Sequence, residues 1–119
     1  MLTARQFRRI ALAMTGASEG EHMGHPDFRV SGRIFATLQH GLKTGMVALT
    51  PEQQQRFVHD YPDAFMPEVG AWGRQGSTRV MLAAVEEETL GEAMTLAWQN
   101  TLNKIRKPAS RSARKPGRR

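Results

Sequence analysis

Gly24-His25-Pro26-Asp27-Phe28-Arg29-Val30-Ser31-Gly32-Arg33-Ile34-Phe35-Ala36-Thr37-Leu38 is the stretch that decides the fold. Phe28 and Val30 alternate with Arg29. After Ser31-Gly32 the alternation resumes, with Ile34, Ala36 and Leu38 on one face and Arg33, Phe35, Thr37 and Gln39 on the other. A period of two marks a half-buried strand, and Ser-Gly between two such runs marks a tight turn. Pro26 cannot donate to a ladder, so residues 20–30 read as one interrupted edge or bulged strand. A strand-turn-strand unit here makes the chain a mixture of helices and strands rather than a helical bundle.

Upstream, Phe7, Ile10, Ala11 and Met14 recur at helical spacing, which predicts a helix over 3–15 stopped by Gly16. Downstream, Met46 to Leu49 form an apolar strand. Thr50-Pro51-Glu52-Gln53 is a strong helix start: Thr50 caps, Pro51 takes the first helical position, and Gln53 completes a capping box. Tyr61-Pro62 ends that helix. Ala64 to Glu68 read as a short strand, 69–76 as a glycine-containing loop around Trp72 and Arg74, and Ser77 to Leu82 as another strand. Leu90, Met94, Ala97, Trp98, Thr101 and Ile105 give a last helix over 87–105, with acids at its start and bases at its end as the helix dipole favours. Pro108 is expected to end it. The order is α-β(3)-α-β(2)-α. Three helices cannot cover both faces of a sheet, so the expected fold is an α+β two-layer α/β sandwich. Its mostly antiparallel five-stranded sheet has the helices on one face and the other face partly open.

With 119 residues the chain holds one domain, expected at 1–107, followed by a basic disordered tail at 108–119 that contains no large apolar residue. The chain has no cysteine, which excludes disulfides, thiolate metal sites and a cysteine nucleophile. No apolar run is long enough to span a membrane, and arginines interrupt the first segment where a signal peptide would be apolar. A cytoplasmic location is the expectation. The net charge is +6, and five of the bases, Arg111, Arg114, Lys115, Arg118 and Arg119, lie in the tail. The folded part is therefore close to neutral.

The element order and several motifs resemble the MmcQ/YjbR family. The motifs are Ala17-Ser18-Glu19-Gly20, the run from Gly24 through Pro26, Phe28-Arg29-Val30 and Gly32-Arg33 to Phe35-Ala36 and Leu38, then Trp72-Gly73-Arg74 with Gly76 and Thr78, and Ala97-Trp98. The resemblance spans roughly residues 3–107. It implies a two-layer fold related to type III secretion chaperones and a predicted DNA-binding role. It supplies no catalytic residues to carry over.

Ser, His and Asp are present, but there is no nucleophile elbow and no phosphate-binding glycine loop before a helix, so an enzyme is not the leading reading. His22 and His25, with Glu21 and Asp27 nearby, provide too few ligands for zinc, and neither metal nor cofactor is expected. The seven methionines are spread along the chain and read as core filling. Arg29, Arg33 and Arg79 are expected on the open face together with Phe35, and Arg74 and Trp72 on the adjoining loop. Cations beside an aromatic suit phosphate contact and base stacking. Lys104, Arg106, Lys107, Arg111, Arg114 and Lys115 would add affinity without sequence preference. His25, Phe35 and Trp72 are the stacking or pocket candidates. Trp72 can also be read as structural, capping the sheet edge. The expected function is thus a non-enzymatic binding module for DNA. The competing readings are a protein-interaction or homodimerisation module built on the open face with Phe35 and Met81, and a small-ligand protein or enzyme using His25, Trp72 and Arg74.

Overall fold

The computed structural model describes residues 2–39, 41 and 43–111, with 106–111 as backbone only. It is an α+β fold in two layers. Helix α1 (Ala4–Leu12) is followed by strands β1 (Ala17–His22), β2 (His25–Val30), β3 (Arg33–Gln39) and β4 (Thr44–Ala48). Helix α2 (Pro51–Asp60), strand β5 (Phe65–Pro67), helix α3 (Gly70–Arg74), strand β6 (Ser77–Met81) and helix α4 (Glu87–Arg111) complete the chain. The sheet has six strands in the order β1-β2-β3-β4-β6-β5, and every pair is antiparallel.

The extra strand comes from residues 17–30, which form a hairpin instead of one interrupted strand. Met23 and Gly24 have φ of 52° and 81°, nearly the same as Ser31 and Gly32 at 51° and 81°. Positive φ at both central residues suits the right-handed twist of paired strands. A methionine in that conformation is unusual, so the first turn carries no sequence signal while the second does.

The starts of α1 and α2 are capped as their sequences dictate. The Thr3 hydroxyl accepts from Gln6 N, and the Gln6 side chain accepts from Thr3 N. Thr50 and Gln53 repeat the arrangement at α2. Satisfying otherwise orphaned donors is why the helices begin there. Helix α1 ends at Leu12, short of Gly16. The segment read as a loop around Trp72 contains the five-residue α3. Helix α4 continues to Arg111, so Pro108 lies inside its last turn rather than at its end.

One face of the sheet carries Phe28, Ala36, Leu38, Val47, Val80 and Phe65, which join Phe7 of α1, Phe57 of α2, and Leu90, Met94 and Ala97 of α4 in a single core. Phe7 meets Phe28 with ring centroids 6.0 Å apart, and Phe57 meets Phe65 at 5.1 Å. The opposite face is crossed by a row of directly facing residues: Gly20, Asp27, Thr37, Met46, Arg79 and Met66. No helix among the described residues is long and apolar enough to cross a membrane.

Candidate binding cleft

The cleft follows from a mismatch in strand lengths. β3 pairs with β4 only from Ala36 to Gln39. Toward its start β3 stays with β2, and there Phe28 faces Ala36 while Arg29 faces Ile34. Phe35 is the extra residue of a β-bulge, and a bulge flips the alternation and bends the strand. Where β3 leaves β4, a cleft of about 540 Å³ opens. Ile34, Thr37 and Met46 line it from the strands, Leu49 from the β4–α2 junction, Trp72 from α3 and Lys104 from α4.

Thr37 stands out on the cleft wall. It is 6% exposed, and its Oγ1 is the one buried side-chain polar atom among the described residues that lacks a hydrogen-bond partner. The other buried threonines find a nearby carbonyl. Thr78 Oγ1 donates to Gly76 O at 2.7 Å, and Thr101 Oγ1 donates to Ala97 O at 3.0 Å. An unmatched buried hydroxyl costs about 1–3 kcal/mol.

Several polar groups of the cleft wall and of the facing strand are already paired. Asp27 is fully buried. Its carboxylate accepts from Arg29 Nε at 2.8 Å, from Arg29 Nη2 at 3.0 Å and from His22 Nδ1 at 2.8 Å. The Arg29 guanidinium holds the Asp27 carboxyl below the ordinary carboxylate range, with His22 adding to the effect and burial opposing it. The same pairing raises the Arg29 pKa. Gly20 faces Asp27 across the β1–β2 ladder, where an added Cβ would lie 2.9 Å from Asp27 Oδ1 and 3.2 Å from Arg29 Nε. His22 itself forms part of the cleft wall. Glu68, also in the wall, binds Arg79 at 2.9 Å. Asn100 Nδ2 donates to Ala48 O at 3.0 Å and to Gln53 Oε1 at 2.7 Å.

Trp72 is 72% exposed on the α3 wall. Its short helix is tied down by Gln54 of α2, a buried amide whose Nε2 donates to Gly73 O and Ser77 O, each at 2.9 Å. Arg74 lies on the same helix and is exposed.

The YjbR family model matches residues 12–100, three quarters of the chain. The chain belongs to the YjbR family. A crystal structure of a Deinococcus radiodurans protein with a DUF419 domain superposes with a TM-score of 0.75 at 17% identity, covering 100% of this chain and 96% of that one, so the two share a fold. No curated protein matches.

In this YjbR-family chain the candidate residues do not form the surface their alternation suggested. Phe35 is fully buried in the core, because the bulge turns it away from the open face, and it cannot stack on a ligand. Arg29 and Arg79 do reach that face, each in an ion pair with a carboxylate. Arg33 faces Val30 at the hairpin end, on the core side of the ladder, and is exposed. Trp72 is largely exposed to solvent on α3 rather than buried as a cap. His25 pairs with His22 across the first hairpin and does not line the cleft. No three His, Asp or Glu residues among those described gather in a metal-holding group. Arg114 and Lys115 lie outside the described residues, as do the tail beyond residue 111 and the side chains of Arg106, Lys107 and Arg111. The cleft, Thr37 and Lys104 as a lining group had no sequence signal other than the apolar triplet Ile34-Phe35-Ala36, which a simple alternation cannot accommodate.

Proposed function

We propose that this YjbR-family chain is a non-enzymatic module that binds nucleic acid at the mouth of the cleft. Arg74 and Lys104 contact phosphates, Trp72 supplies a stacking surface, and the basic end of the chain adds affinity without sequence preference. The observation that carries this reading is how the charges are partnered. Arg8, Arg9, Arg29, Arg56 and Arg79 are each in ion pairs with acids. Arg74 and Lys104 are exposed and have no such partner among the described residues; Lys104 lines the cleft together with Trp72, the most exposed aromatic side chain among them, and Arg74 ends the helix that carries Trp72. Cations held near an exposed ring suit a backbone with unstacked bases.

Fluorescence anisotropy of a labelled single strand, read at several salt concentrations, tests it. The Arg74→Glu/Lys104→Glu variant should bind more weakly. Its log–log salt slope should flatten by about 1.4, from about 0.7 per lost phosphate contact. Equal affinity and slope in the two proteins would overturn the reading.

A second reading has its own observation. Met66, Val69 and Trp72 are exposed apolar residues close in sequence around edge strand β5 and α3. Such a patch suits a protein partner or a second copy. Light scattering of the wild type and Trp72→Ala separates the two, because a dimer through this patch would dissociate in the variant.

A further inference from the structure

We infer that the cleft is a seat for one flat heteroaromatic ring bearing an anionic group, a single unpaired nucleotide, and that Thr37 Oγ1 is the atom that hydrogen-bonds the ring's polar edge. The inference rests on the nucleic-acid reading for the source of the nucleotide, though not for the chemistry of the seat.

Size comes first. A volume of about 540 Å³ lies within the range of small-ligand sites, roughly 300–1,000 Å³. The walls are apolar where a ring would lie: Ile34 and Met46 on the strands, Leu49 beside them, and the Trp72 indole on α3. An apolar cleft of this shape would accept any ring. The Thr37 hydroxyl makes it selective, because it is buried on that wall with neither its proton nor its lone pairs used. Asp27, which faces Thr37 across the ladder, takes three hydrogen bonds from Arg29 and His22 and none from Thr37. A ligand with a polar edge would supply the missing partner, and a plain hydrocarbon ring would not.

The hydroxyl also limits what can be read. It can donate or accept, so it favours rings with polar edges over those without, but does not distinguish one base from another. Charge fixes the remaining feature. Glu68 is neutralised by Arg79, which leaves Lys104 as the uncompensated charge of the wall, with Arg74 two residues beyond Trp72 at the end of α3. An anionic substituent is therefore favoured. A base stacked and paired in a duplex cannot enter a cleft without being extruded, which costs energy an unpaired base does not pay. The seat suits a free mononucleotide or an unpaired base in a strand.

The test uses the full chain and follows tryptophan fluorescence, which reports through exposed Trp72. Adenosine monophosphate, uridine monophosphate, a short single strand and its matched duplex are titrated into the wild type, Thr37→Val and Thr37→Ser. The expected result is quenching by both mononucleotides with similar affinity, and stronger binding of the single strand than of the duplex. Thr37→Val should bind about threefold to tenfold more weakly, as suits the loss of one hydrogen bond, with unchanged or higher thermal stability. Thr37→Ser should recover most of the loss. Mononucleotide binding that depends on Thr37, without binding of either oligonucleotide, upholds the seat and removes the nucleic-acid reading. Oligonucleotide binding that is identical in Thr37→Val, without binding of mononucleotides, overturns the seat and leaves that reading intact. Equal binding by wild type and Thr37→Val, as expected if Thr37 holds a water only, also overturns it.

Discussion

Phe35 and Asp27 show how surroundings assign a residue its work. Phe35 has the side chain of a stacking platform, yet it is fully buried among core residues. Its truncation should therefore affect folding. Phe35→Ala is expected to cost about 3–5 kcal/mol, read as a lower urea midpoint. A variant of wild-type stability would contradict the bulge. Asp27 works through its partners. Its folded pKa is lowered, so its contribution to stability is complete above the unfolded value near 3.8 and fades as pH falls through the lower folded one. Urea midpoints should thus show Asp27→Asn less stable than wild type at neutral pH, with the gap closing under strong acid. A gap that stays constant would contradict the pairing with Arg29 and His22. At this scale the sequence was partly legible. The apolar, alternating character of residues 28–38 pointed to strands, while the face of Phe35 did not, because one unpaired residue reverses the alternation and leaves no mark in composition. Nor did anything in the sequence reveal that Arg29 and Arg79 would each be neutralised by an acid.

Elements were legible where their ends carry chemistry. Thr50-Pro51-Glu52-Gln53 opens α2 as its capping groups require, and Pro62 closes it. Ser31-Gly32 forms the second hairpin turn. The first hairpin was hidden by Met23, whose side chain gives no hint of a positive φ, and α3 was hidden by its brevity and its glycines. The buried Gln54 connects α2 to α3 through two backbone carbonyls. Gln54→Ala should remove both bonds and cost about 1–3 kcal/mol, at about 0.5–1.5 kcal/mol for each hydrogen bond, since Gly73 O still accepts from Gly76 N and Ser77 O from Glu68 N. Amide hydrogen exchange should accelerate in residues 69–76 more than in the β2–β3 ladder. Uniform acceleration would mean that Gln54 supports the whole fold and is not a specific anchor for Trp72.

For the whole molecule, the two-layer α+β arrangement follows from helices whose apolar stripes fit one side of an antiparallel sheet. The chain's resemblance to its family was legible from motifs spread along it, and the family match over residues 12–100 bears that out. The cleft was not legible, since it arises where β3 parts from β4 and where α4 and α3 approach from distant parts of the chain. In the proposed nucleic-acid reading the basic contacts lie at the cleft mouth, where Arg74 and Lys104 have no acid partner among the described residues. Amide chemical-shift mapping of the full chain during titration with a short single strand tests this placement most directly. Shifts should concentrate at Ile34, Thr37, Met46, Trp72, Arg74 and Lys104. Shifts confined to residues beyond 105, with the cleft unmoved, would contradict that placement.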